Sequence, residues 1–131
     1  MKDYILLKDL EVYKLARALS GVAWATYETL AWQDKKIMGD QFIEAVDSIG
    51  ANIAEGYKRY HYLDKVKFYY NARASLSESC AHRLELLVER NKISDKDFKE
   101  MKEIEGKLAI KLNNFIKTTC NAKDNKFQQV S

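Results

Sequence analysis

The 131-residue sequence has no proline and only five glycines, so it is nearly free of the residues that break a helical hydrogen-bond ladder. It also lacks any apolar run near the ~20 residues that a membrane span requires, and the short Ile5–Leu7 stretch behind Met1-Lys2 is too brief for a secretory signal. A cytoplasmic chain with no membrane partner is expected. Cysteine is scarce: Cys80 and Cys120 both fall in segments with helical patterning, and so sparse a pair without a secretory signal reads as reduced, buried thiols. Histidine is equally scarce. A di-iron carboxylate bundle needs Glu-x-x-His motifs on two helices, whereas only His82 has helix-spaced carboxylates, Glu78 and Glu85, and His61 falls in a connection. No phosphate-binding glycine loop, dinucleotide-binding turn, Cys-x-x-Cys pair or nucleophile elbow occurs either. The expectation is therefore a non-enzyme with no metal and no cofactor.

What remains is abundant helix-forming material, 47% hydrophobic and 31% charged. Leu10, Tyr13, Ala16, Leu19, Ala23, Tyr27 and Leu30 recur every three or four residues, predicting a first helix over about 9–30 with Asp9 as its cap. Trp32–Lys36 reads as a polar connection. A second helix over about 40–56, capped by Asp40, turns Phe42, Ala45, Val46, Ile49 and Ile53 inward. Gly56 is placed to end it in the left-handed conformation. Gly50 falls mid-helix, where glycine costs about 1 kcal/mol against alanine, so a tight interhelical contact is expected there. Val66, Tyr69, Arg73, Leu76, Cys80, Leu84 and Leu87 trace a third helix over about 63–90, with Arg73 the one charge on an apolar stripe. Ser94-Asp95-Lys96-Asp97 caps a fourth helix over about 95–120, striped by Phe98, Met101, Ile104, Leu108, Leu112 and Phe115. The tail 121–131 is expected to fray. Short connections between four amphipathic helices imply an antiparallel, up-down-up-down four-helix bundle forming a single all-α domain over residues 1–131.

Charge is uneven. Residues 1–56 carry six basic and nine acidic groups, and residues 57–92 carry eight basic and four acidic. The basic, aromatic connection Lys58-Arg59-Tyr60-His61-Tyr62, with Lys65 and Lys67 on the next turn, combines phosphate-neutralising cations with stacking rings. Lys58, Arg59, Tyr60, Tyr62, Lys65 and Lys67 are thus the candidate contacts to RNA or DNA. The competing reading is a solvated charge run whose tyrosines pack against a helix end.

The segment Ser48-Ile49-Gly50-Ala51-Asn52-Ile53-Ala54-Glu55-Gly56, followed by Ala72-Arg73-Ala74-Ser75-Leu76-Ser77-Glu78, resembles the signature of the four-helix-bundle proteins encoded by intervening sequences in bacterial 23S ribosomal RNA genes. Leu10-Glu11-Val12-Tyr13-Lys14-Leu15-Ala16 fits as well, and the resemblance runs from about Leu10 to Phe115. Gly50, where proline or serine is commoner, and Ala74, where glycine is usual, depart from it. The resemblance implies a ring-like homo-oligomer, a homopentamer, without established catalysis, and a fold similar to the accessory proteins of diversity-generating retroelements. Within these motifs Asn52, Glu55, Arg73, Ser75 and Glu78 form the expected interhelical polar network, with Arg73 bonding Glu55 or Glu78, because polar groups turned into a bundle must find partners. Two functions follow: an oligomeric scaffold that recruits another protein, or a nucleic-acid-binding accessory factor whose basic patch is repeated around the ring.

Overall fold

The computed structural model describes residues 5–130, with side chains for 5–122, and these are all-helical, with no strand among them. A short 3-10 turn, Leu7–Asp9, leads into α1, Glu11–Thr29. Leu30 and Ala31 are extended. Helix α2 starts with the turn Trp32–Asp34, continues through a π-helical stretch Lys35–Gly39 and runs on as Asp40–Tyr57. Helix α3 comprises Tyr62–Leu76, a second π-helical stretch Ser77–Arg83 and Leu84–Glu89. Helix α4 is Asp95–Val130. Each helix packs against two neighbours, α1 on α2 and α4, and α3 on α2 and α4.

The core is built from the predicted stripes. Leu19, Phe42, Val46, Ile49, Ile53, Tyr69, Leu84, Leu87, Met101, Leu108 and Leu112 are fully buried, and each such side chain stabilises the fold by about 1.5–3 kcal/mol relative to exposure. Ser94 caps α4, its Oγ accepting the Asp97 N–H at 3.1 Å.

Several sequence expectations are corrected. Trp32–Lys36 is helical, because the π stretch absorbs the residues that interrupt the 3.6 period. Asp40 therefore lies inside α2 and accepts a hydrogen bond from the Tyr27 hydroxyl at 2.6 Å. Asp9 sits in the 3-10 turn, and Leu10 precedes α1 without a side-chain cap. Gly56 is not a left-handed cap: no described glycine has positive φ, and α2 continues to Tyr57. Its lack of a side chain serves space instead, since a Cβ there would lie 2.7 Å from Tyr69 Cε1 and 3.0 Å from Phe68 Cβ. The left-handed role falls to Asn91, at φ 57°. Asn91 N–H bonds Val88 O and Lys92 N–H bonds Leu87 O, the paired closure that satisfies the last carbonyls of α3. At Gly50 the expected tight contact is absent, a Cβ meeting Ala16 Cβ and Tyr13 Cε1 at an ordinary 3.7 Å. The helix does not stop at Cys120 but extends to Val130, with no proline and no glycine after Gly106 to end it. Residues 1–4, Ser131 and the side chains of 123–130 lie outside the described set.

Candidate functional site

Glu55 occupies the last turn of α2, where Lys58 Nζ lies 3.4 Å and Arg59 Nη2 2.5 Å from its carboxylate. Burial pulls the Glu55 carboxyl upward, but the two cations outweigh it and leave the pKa lowered. Arg59 also stacks over Phe68, 4.8 Å from the ring centroid. Two of the four candidate phosphate contacts are therefore already ion-paired. Lys65 is turned inward: its Nζ donates to the Tyr57 carbonyl at 2.8 Å and approaches the Gly56 carbonyl at 3.5 Å. It caps the carbonyl end of α2, where a cation is favoured by the exposed C=O groups, and partial burial lowers its pKa. Tyr60 is 85% exposed and edge-on to His61, Tyr62 is half-buried, and Lys67 is exposed, with no ion pair among the described residues.

The predicted polar network splits. Asn52 and Ser75 do come together, through Ser48: the Ser48 and Ser75 hydroxyls are 2.9 Å apart, and Asn52 Nδ2 donates to the Ser48 carbonyl and hydroxyl at 2.9 and 3.0 Å. Arg73 bonds neither carboxylate. Ala72 takes the buried position beside it, and Arg73 swings outward to lie over the Tyr70 ring at 4.8 Å and to donate to Asn113 Oδ1 at 3.0 Å. Glu55 is held by Lys58 and Arg59, and Glu78 by Arg83 at 3.5 Å. The sequence signal for the true network was the i, i+4 pair Ser48 and Asn52, which share a helix face.

The sequence marks Ala45, Ser48, Gly50, Ala51 and Ala54 as small residues that would let another helix backbone come close, and Gly50, Ala51 and Ala54 line a groove between α1 and α2 that the sequence did not place. The groove has a volume of about 370 Å³ and is floored by Ala16, Val46, Gly50, Ala51 and Ala54. Arg17 donates to the Tyr13 hydroxyl at 2.9 Å on one wall, and Ser20 donates to Asp47 at 2.5 Å further along. Toward the α1–α2 junction Trp24 stacks on Tyr27 at 5.2 Å, Lys35 lies over Tyr27 at 5.0 Å, and Trp32 and Ile37 are 72% and 64% exposed. Among the described residues no cluster of histidine, cysteine and carboxylate side chains could hold a metal ion. No described helix is long and apolar enough to cross a membrane. Cys80 and Cys120 are free thiols; Cys80 is buried as expected, whereas Cys120 is only half-buried.

The sequence profile of the 23S rRNA-intervening sequence proteins matches residues 8–114. The chain belongs to that family. The match takes in α1, α2, α3 and the first half of α4, and so covers the groove and the Ser48–Asn52–Ser75 cluster. No curated protein gives a significant match. Among solved structures, a protein of unknown function from the S23 ribosomal protein family of Bacteroides thetaiotaomicron VPI-5482 superposes with a TM-score of 0.74 at 21% identity. The superposition covers 80% of this chain and 97% of that one, and at this identity it speaks for the fold alone. Within the family fold, the small-residue run Ser48–Ala54 lines two surfaces: Gly50, Ala51 and Ala54 floor the α1–α2 groove, while Ser48 and Asn52 turn toward α3.

Proposed function

We propose that this chain is an up-down-up-down four-helix bundle, one domain, that assembles into a ring-like homo-oligomer and works in the cytoplasm as a non-catalytic interaction scaffold recruiting another protein. The observation that carries the reading is the α1–α2 surface. An open groove lined by glycine and alanine admits another helix backbone closely, and Trp24, Trp32 and Ile37, toward the α1–α2 junction and 50%, 72% and 64% exposed, are large apolar side chains left in water. Small residues that let a backbone approach, with large apolar side chains exposed on the same two helices, suit a protein contact. A second copy is the occupant because the family resemblance implies a homopentamer, and a repeated contact between unlike faces closes into a ring when its rotation completes a full turn. The nucleic-acid reading at residues 58–67 ranks second, because Lys58 and Arg59 share Glu55 and Lys65 is spent on the end of α2.

Light scattering of the purified chain tests this directly. A mass several times the 15.2 kDa of one chain is expected, and Ala51→Arg, which sets a long charged side chain in the groove, should reduce it to one chain. A wild-type monomer at every concentration tested would refute the scaffold.

A further inference from the structure

The α3–α4 face carries a charge pattern that the scaffold does not use and that shares only Lys65 and Lys67 with the 58–67 candidate. From Lys65 to Ser77 on α3 and from Gly106 to Ala122 on α4 there is no aspartate or glutamate. These stretches lie side by side: Arg73 bonds Asn113 at 3.0 Å, and the Tyr69 and Phe115 rings are 4.7 Å apart. The result is an acid-free strip about 20 Å long by helical rise. Some of its cations are engaged, Lys65 by the end of α2, Lys107 by Glu103 and Lys111 by Glu11. Lys67, Arg73 and Lys117 are exposed and make no ion pair among the described residues. Tyr70, 45% exposed, lies between Lys67 and Arg73 in sequence and carries the Arg73 guanidinium over its ring.

We infer that this face binds single-stranded nucleic acid, with an unpaired base extending the Tyr70–Arg73 stack and backbone phosphates on Lys67, Arg73 and Lys117. A planar guanidinium held over an aromatic ring and fixed by Asn113 is a preformed platform for a base. Removing every carboxylate from two adjacent helical faces favours a polyanion over a neutral or basic partner. A duplex keeps its bases stacked and offers only phosphates, so the aromatic element selects for unpaired strands. The inference does not rest on the scaffold reading, since the site is complete within one chain.

The test is fluorescence anisotropy of the full chain with labelled mixed-sequence RNA and DNA strands of about 15 nucleotides, against the matching duplexes. Single strands should bind, with log affinity falling against log salt at a slope of about −2, as three phosphate contacts require. The double variant K67Q/K117Q should flatten the slope to about −0.7, whereas Y70A should weaken binding about tenfold and leave the slope unchanged. K14Q, on α1, which does not pack against α3, should change nothing. Circular dichroism and light scattering on each variant establish that fold and mass are preserved. No binding at about 50 mM salt, binding without a salt slope, equal affinity for duplex, or K67Q/K117Q and Y70A binding as the wild type does would each overturn the inference. So would loss of oligomeric mass in either variant, which would make this face a contact between copies.

Discussion

Gly56→Ala and Gly50→Ala are the same chemical change on one helix, six residues apart, and their effects should have opposite sign. At Gly56 the new methyl would sit 2.7 Å from Tyr69 Cε1 and 3.0 Å from Phe68 Cβ. Tyr69 is 1% exposed, and its ring packs on Phe115 at 4.7 Å, so the ring cannot swing clear, and Phe68 Cβ is tied directly to the α3 backbone. Overpacking of this kind costs about 1–3 kcal/mol. The helix-propensity gain, at most about 1 kcal/mol mid-helix, is smaller here because Gly56 is the penultimate residue of α2. A net loss of about 1–2 kcal/mol is expected. At Gly50 the methyl makes ordinary 3.7 Å contacts with Ala16 and Tyr13 and the full mid-helix gain applies, so a stabilisation of about 0.5–1 kcal/mol is expected. Urea unfolding followed by circular dichroism reads both. With a slope of about 2 kcal/mol per molar urea the midpoint should fall by about 0.5–1 M for G56A and rise by about 0.25–0.5 M for G50A. Protomer concentration must be held constant, because assembly shifts apparent stability by mass action. A G56A protein as stable as the wild type would refute the packing account of this glycine. For G50A the gain is that of the single chain, read at a concentration where the protein is monomeric: loss of stability only in the assembled protein would place the second copy on the groove floor, and loss in the monomer would refute the spacing at Gly50.

Three further outcomes follow from particular contacts. Ser94→Ala removes the acceptor of the Asp97 N–H and should destabilise the chain by about 1 kcal/mol in the same urea assay, with Ser94→Asp restoring most of it. Lys65→Met keeps the apolar stem but loses the bonds to the Gly56 and Tyr57 carbonyls; it should lower stability by about 1 kcal/mol, whereas Lys67→Met should stay within about 0.5 kcal/mol of wild type. Burial pushes the Cys80 thiol up to about 11, so a thiol reagent at pH 8 should label Cys120 first and reach Cys80 only on unfolding. The sign of the linkage is fixed: below the ordinary thiol value of 9.0 both states hold the proton, and above it the unfolded chain ionises first. Stability should therefore fall as pH rises from about 9 to about 11, by up to about 1.4 kcal/mol per pH unit from this group, and Cys80→Ala should remove that part of the slope. The buried Tyr69 hydroxyl, also shifted upward by burial, acts in the same direction above its ordinary value.

The four helices were legible because the burial that forms them repeats with the helical period, and a stripe such as Leu10, Ala16, Leu19 and Ala23 needs no tertiary information to be read. What periodicity could not carry was any feature decided by a neighbouring helix or by a change of helical pitch. The π stretch Ser77–Arg83 buries the adjacent residues Ser79 and Cys80 together, and a ladder with i→i+5 bonds has no signature in a pattern counted in threes and fours. Gly56 sits where a helix-ending glycine belongs by sequence, but the cause of its being glycine is Tyr69, thirteen residues away on another helix. Arg73 is the clearest case. Counted along the stripe it points inward, and the partners within its own motifs are carboxylates. Ala72 fills the inward position, and Asn113 on α4 is close enough to hold the guanidinium outside, over Tyr70. An exposed arginine avoids the several kcal/mol that a buried charge would cost without an ideal partner, and the same displacement turns a presumed structural bond into the centre of an acid-free surface. The candidate site was thus hidden for a physical reason: its residues are forty positions apart in sequence, and only the packing of α3 on α4 makes them one surface.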